Sequence, residues 1–331
     1  MTKCKTSFEA IEGHARPVNI LKQALANKTL AHAYLFSGEK GIGKKMTAFA
    51  LAAAANCDAA GPEGGCGVCQ SCKKVDLRVH PDVNLLAPDG DDIKIDQIRR
   101  VQDHLALKPF EGIKKVLIVD GAESMNSASS NAFLKTLEEP PGDALIILIT
   151  ALPQSLLATI RSRCQEIRFH PLPRHLLARA LMAERGLSQE DAWFLAALAQ
   201  GSMGRGFGMD VEQEKAARED IWGLLSSLTT MSSGEMLLHA EVFSKDRDRF
   251  ERLLDVGVEG LRDAMVSRLT GDSKLLVYAD GKDMRKQWEE RLSLQRMLID
   301  LELLVTSRKL LDRRVSAQLV AENLFLRLGR A

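Results

Sequence analysis

An α/β domain built on a parallel sheet with helices on both faces, continued by an all-α C-terminal region, is the fold class predicted for this 331-residue chain. Three observations predict it. A glycine-rich turn, Ser37-Gly38-Glu39-Lys40-Gly41-Ile42-Gly43-Lys44-Lys45, joins a short apolar run to an apolar helical run. The runs at residues 116–119 and 144–150 are nearly all aliphatic, as in strands covered on both faces. Beyond about residue 210, apolar residues recur convincingly at helical spacing only.

Bulk composition bounds the rest. The length suggests two or three domains. Hydrophobic residues make up 45% and charged residues 27%, ordinary for a soluble globular chain. Lys plus Arg number 45 against 44 Asp plus Glu, so no global field draws the chain to nucleic acid or membrane. Any DNA contact has to be local or shared with partners. No apolar segment follows Met1-Thr2-Lys3-Cys4, and the run at residues 144–149 is far too short to span a bilayer. The expected compartment is the cytoplasm, with no membrane partner. There, the six cysteines at 4, 57, 66, 69, 72 and 164 are not read as structural disulfides.

Taken in order, residues 7–27 carry helical spacing at Phe8, Ile11, Val18, Leu21 and Leu25, broken at Gly13 and Pro17. Residues 31–36 read as a strand. Strand, then Gly-x-x-x-x-Gly-Lys, then helix is the context of a phosphate-binding loop. Gly38, Gly41 and Gly43 let the backbone curl so that amides point at phosphate oxygens. The helix beginning near Met46 adds its positive end. Lys44 would reach the outer phosphates. A Ser or Thr holding Mg²⁺ is expected next, but Lys45 stands there with no lone pair to offer. The loop reads as able to hold ATP or ADP and poorly built to hydrolyse it. The rival reading is a glycine-rich turn that binds nothing.

Cys57, Cys66, Cys69 and Cys72 combine two Cys-x-x-Cys steps with a fourth thiol. Four thiols suit a closed, structural, tetrahedral Zn²⁺ site that staples the insertion at residues 57–72. The alternative is a set of free thiols on an exposed loop. Residues 80–86 read as a strand, with His80 a turn residue beside Pro81, and Asp96 reads as the cap of a helix carrying Ile98, Val101 and Leu105.

The strand at residues 115–120 ends in Asp120, which fits a Walker B acid orienting Mg²⁺ or its water. Hydrolysing enzymes commonly carry Glu next. Here the position is Gly121, and Glu123 lies two residues further on. Residues 131–137 read as a short helix stopped by Glu138-Glu139-Pro140-Pro141-Gly142. Thr150 closes the strand at residues 144–150, where open α/β sheets place polar site residues. It either senses a γ-phosphate or simply ends the strand. In Thr159-Ile160-Arg161-Ser162-Arg163-Cys164, two arginines follow an apolar helical turn. They suit a phosphate across an interface, or form a solvated basic helix end.

These segments together resemble a family. Gly-Glu-Lys-Gly-Ile-Gly-Lys, the four cysteines, His-Pro-Asp-Val, Val-Asp-Gly-Ala-Glu-Ser-Met-Asn, Asn-Ala-Phe-Leu-Lys-Thr-Leu-Glu-Glu-Pro-Pro and Ile-Arg-Ser-Arg-Cys occur in that order. The sequence is similar to the delta-prime family of bacterial DNA polymerase III clamp loader subunits, which are AAA+ proteins, densely over residues 7–172. The resemblance implies a RecA-like sheet followed by a helical lid and an all-α collar. It implies a five-subunit ring, shared with delta and gamma/tau subunits, that opens a sliding clamp and closes it around primed DNA. Arg163 matches the arginine that acts in trans on ATP of a neighbouring motor subunit. Cys57, Cys66, Cys69 and Cys72 match the zinc module of relatives. Three departures point away from a motor: Lys45 for the Mg²⁺-binding hydroxyl, Gly121 for the catalytic Glu, and Gly204 where motor relatives carry a second sensor arginine, with Arg205 one step away.

Pro171-Leu172-Pro173 marks a boundary by composition. The expected division is residues 1–170 for the nucleotide-binding-like domain, 171–208 for the lid and 209–331 for the oligomerising collar. In the collar, helical spacing recurs at Ile221, Leu224, Leu225 and Leu228, at Phe250, Leu253, Leu254 and Leu261, at Leu294, Leu298, Leu301 and Val305, and in a last helix over residues 316–328. An intramolecular bundle has the same spacing. Trp193, Trp222 and Trp288 are expected in the core. The function expected is a stator that lends Arg163 to the ring. Its rivals are an active AAA+ motor subunit and a zinc-dependent nucleic-acid binder.

Overall fold

Five short strands, β1 (Ala33–Ser37), β2 (Val83–Leu86), β3 (Val116–Asp120), β4 (Leu145–Thr150) and β5 (Gln165–Arg168), form one sheet in the order β2-β3-β4-β1-β5. The structure is a computed structural model that describes residues 7–61, 63–272, 275–278, 281–313 and 315–329. Every pairing in the sheet is parallel. The aliphatic runs are strands because both of their faces are covered. Tyr34, Phe36, Val116, Ile118, Ile147 and Ile149 enter one core, with Leu21 of α1 (Ala15–Ala26) and the alanine-rich α2 (Lys44–Ala55). Their alternates Leu35, Leu117, Val119, Ile146 and Leu148 enter a second core. Around it lie α4 (Ile95–Leu105), α5 (Ser127–Glu138) and α6 (Ala158–Arg161), while the short α3 (Gln70–Asp76) follows Cys69 and contains Cys72. The register sets Ser37 beside Thr150 and Asp120 beside Ile149, so the C-terminal ends of β1, β3 and β4 share one edge.

Local differences from expectation have physical causes. β2 begins at Val83, because His80 and Asp82 make a turn in which the Asp82 N–H donates to His80 Nδ1 at 3.1 Å. The N-cap of α4 is Lys94; Asp96 lies in the first turn, where its charge still suits the helix end. The helix α5 starts a turn earlier than expected, because the Asn126 side chain caps it by accepting from the Ser129 N–H at 3.0 Å. The edge strand β5 was not expected: it is a four-residue charged strand with Ile167 buried between exposed Glu166 and Arg168.

The chain forms two compact units. One comprises Met1–Gly186 and Ala199–Phe207, the other Leu187–Leu198 and Gly208–Ala331. The first unit also holds α7 (Arg174–Arg185) and most of α9 (Met203–Gly208). The second is all-helical: α8 (Gln189–Leu198), α10 (Val211–Ser227), α11 (Ser233–Lys245), α12 (Arg247–Thr270), α13 (Lys282–Arg291), α14 (Leu294–Asp312) and α15 (Ala317–Leu328). Its core gathers Phe194, Trp222, Tyr278 and Trp288 in edge and tilted ring contacts, with the Arg218 guanidinium over three of those rings. Trp193 is not core; it is 37% exposed near the acidic start of α8. On α14 the buried stripe is Met297, Leu304 and Leu311, whereas Leu298 is 57% exposed. Leu294, Leu301 and Val305, which share the apolar spacing with Leu298, are half-buried.

Candidate functional site

The phosphate loop is built as its sequence requires. Gly41 at φ 76° and Gly43 at φ 108° take backbone conformations that a Cβ would strain, and Gly43 is the N-cap from which α2 starts. Lys44 is 5% exposed and donates to the carbonyls of Gly38 and Glu39, folding back over its own loop. Burial pushes its ammonium down to about 8, against the carboxylates of Glu123, Asp120 and Glu39. Two cations at a helix start oppose the helix dipole, so they need negative partners there.

Lys45 has such a partner. Its Nζ lies 3.1 Å from Oδ2 of Asp120. An ammonium therefore sits on the carboxylate that ends β3. Gly121, at φ 77°, follows with no side chain to act as a base. Glu123 is turned to the end of β4: its Oε1 accepts from the Ala151 N–H at 3.3 Å, and its Oε2 is buried without a hydrogen-bond partner. Thr150 is buried, and its Oγ1 accepts from the Leu152 N–H at 3.0 Å.

The segment following α7 in the same unit closes on this loop. The Gly204 N–H donates to the Gly41 carbonyl at 2.9 Å, and a Cβ on Gly204 would meet Gly41 Cα at 3.3 Å. A side chain at position 204 would be tight against Gly41, which would have to shift slightly to admit it. His14, missed at the level of sequence, belongs here: Nε2 contacts the Ile42 carbonyl at 2.5 Å, and burial lowers its pKa. Nothing in local spacing links residues 14 and 42.

The four cysteines converge. The sulfurs of Cys57, Cys66, Cys69 and Cys72 all lie within 4.8 Å of one another. Zn–S bonds of about 2.3 Å in a tetrahedron place sulfurs about 3.8 Å apart, and Cys57 to Cys69 is 3.9 Å. Backbone amides of Cys66, Cys69 and Cys72 donate to sulfurs of Cys57, Cys66 and Cys69 at 3.3, 3.3 and 3.4 Å. Such donors stabilise thiolates, and the Cys69 and Val68 amides hold the Cys66 thiol down to about 6. Burial pushes Cys57 and Cys72 up instead. A bound divalent cation would reverse that. The donor set fits a structural Zn²⁺ with no position left open.

Arg163 stands apart from the loop's chemistry. Its Nη2 donates to Oε1 of Glu138 at 2.6 Å and its Nη1 to the Thr159 carbonyl at 3.0 Å. Ile160, buried, fixes α6 beneath it.

Fold and loop define an α/β protein with a parallel five-stranded sheet and a Gly-x-x-x-x-Gly-Lys strand-to-helix loop, in which the Lys45 ammonium lies against Asp120. The family model described as DNA polymerase III, delta subunit, matches residues 13–173. The DNA polymerase III subunit delta' of Bacillus subtilis is 31% identical over 324 residues, covering 97% of this chain and 97% of that one. The subunit delta' of Pseudomonas aeruginosa is 36% identical over 193 residues, covering 56% of this chain and 58% of that one. The tau subunit of Bacillus subtilis is 36% identical over 162 residues, 49% of this chain and 29% of that protein. The chain belongs to the DNA polymerase III delta' subunit family.

Proposed function

We propose that this chain is a clamp loader subunit of DNA polymerase III that works as a stator. It contributes Arg163 in trans to ATP on a neighbouring subunit and hydrolyses little or none itself. The observation that carries this reading is the Lys45–Asp120 pair at 3.1 Å. It places a +1 charge where hydrolysis needs a divalent ion with exchangeable ligands. Gly121 supports it by removing the base.

In this reading Gly38, Gly41, Gly43, Lys44, Asp120 and Thr150 are the remains of a nucleotide site for ATP or ADP. Cys57, Cys66, Cys69 and Cys72 hold a structural Zn²⁺. Residues 171–208 act as a lid and residues 209–331 as a collar in a ring of five subunits with delta and gamma/tau. The assembled ring handles the sliding clamp and primed DNA in the cytoplasm. Among the described residues no helix is long and apolar enough to cross a membrane.

The test is a reconstituted complex carrying Arg163→Ala. An arginine finger supplies roughly 10³-fold or more in phosphoryl transfer, so DNA-stimulated turnover at the facing site should fall by that order with assembly intact. Unchanged turnover would sink the finger. Brisk Mg²⁺-dependent hydrolysis by the purified chain would sink the stator.

A further inference from the structure

Glu138 ends α5, and its neighbour Glu139 caps it. Two acids at a helix C-terminus run against the helix dipole, so helix stability does not explain this placement. What Glu138 does touch is Arg163. The guanidinium is held at two points on two elements: Nη2 by the Glu138 carboxylate at 2.6 Å and Nη1 by the Thr159 carbonyl at 3.0 Å. Below it the backbone is fixed, since Ile160 is fully buried and Cys164 packs against the core shared with Phe133 and Leu137 of α5. The arginine side chain has rotatable bonds that the backbone does not restrain, and these two contacts restrain them. The fork stays partly open: Arg163 is 35% exposed, and its Nε edge and one hydrogen on each Nη are left for a phosphate.

We propose that Glu138 is a positioning residue for Arg163, fixing the orientation from which the guanidinium meets a neighbour's nucleotide. This rests on the finger reading above, and the two are separable. A misplacement of about 1 Å costs up to roughly 10²-fold in rate, so loss of one of two anchors should be visible without abolishing activity.

The reconstituted complex is prepared with Glu138→Ala, Glu138→Gln and each combined with Arg163→Ala. Glu138→Ala should lower kcat at the facing site about tenfold, within that range, with KM for ATP unchanged. Glu138→Gln keeps an oxygen to accept the Nη2 hydrogen and should recover most of that loss. In the Arg163→Ala background neither change at 138 should matter further. A rise in kcat on Glu138→Ala would mean that the carboxylate restrains the finger, and would overturn the proposal. So would an equal fall in the Arg163→Ala background, which would mark a merely structural effect.

The guanidinium itself gives a readout independent of catalysis. In the isolated full chain, the Arg163 Nη hydrogens should show slow rotation by ¹⁵N NMR, and lose it in Glu138→Ala. Unaltered rotation would overturn the anchor. Turnover untouched by Arg163→Ala would retire the finger while leaving the anchor to be judged by NMR.

Discussion

Single side chains decide whether this loop can work. Lys45 is one residue past Lys44, yet the two differ in role: Lys44 closes on its own loop, and Lys45 is aimed across at Asp120. Lys45→Thr would supply a hydroxyl for Mg²⁺ and release the Asp120 carboxylate. The expected outcome is Mg²⁺-sensitive ADP binding by calorimetry without turnover, since Gly121 still offers no base. Rapid turnover in that variant would show that the lysine was the only block.

A second residue-scale prediction concerns Asp82, fully buried in the turn just before β2. Burial alone would raise its pKa. The amides of Phe110, Glu111 and Gly112 and the Lys115 ammonium at 2.9 Å outweigh burial and hold it well below the usual carboxylate range. A depressed pKa stabilises the fold fully above the unfolded value, and the contribution fades as pH falls toward the folded one. Asp82→Asn leaves Lys115 buried without its counter-charge, at about 3–5 kcal/mol. Urea melts should show that gap at neutral pH, narrowing progressively below pH about 4. A gap constant with pH would show that the charge contributes nothing.

Among elements, the cysteine module at residues 57–72 is one whose stability a bound metal would be expected to raise. Its helix α3 has only Cys72 and Val75 buried, and seven residues are too few to hold a helix alone. Metal binding would supply that stability. Elemental analysis should find one zinc per chain, and Cys72→Ser should abolish it and lower the melting temperature. Full zinc content in Cys72→Ser would remove that residue from the ligand set.

What was legible from sequence at this scale follows from distance along the chain. The loop glycines and the cysteines announce themselves because their partners are near in sequence, and Asp120 because it ends an aliphatic strand. β3 and β4 were visible because burial on both faces makes a strand uniformly aliphatic. The short strand β5 was not visible, since only Ile167 of its four residues is buried and pairing with β1 makes it a strand. The contacts that explain the site, Lys45 to Asp120, Gly204 to Gly41, His14 to Ile42 and Glu138 to Arg163, each join residues 25 or more apart. No local period encodes them.

At the scale of the whole molecule, charge separates the remaining functions. The chain carries a formal net charge of +1, and many of its cations are spent on internal pairs, such as Lys22–Glu63, Lys74–Glu111, Lys114–Asp143 and Lys215–Asp191. Affinity for DNA rises with the number of phosphates neutralised, and each adds about 0.9 to the salt slope. A stator that meets DNA only through its complex needs no such surface. The isolated chain should therefore bind primed DNA no more tightly than roughly 10⁻⁵ M near physiological salt, within the range of non-specific contact. A zinc-dependent nucleic-acid binder predicts the opposite: submicromolar affinity, a steep salt slope and loss on chelation. Fluorescence anisotropy across a salt series, with and without chelator, separates the two. Tight binding that disappears with the metal would move the function of this chain from the ring to the cysteine module.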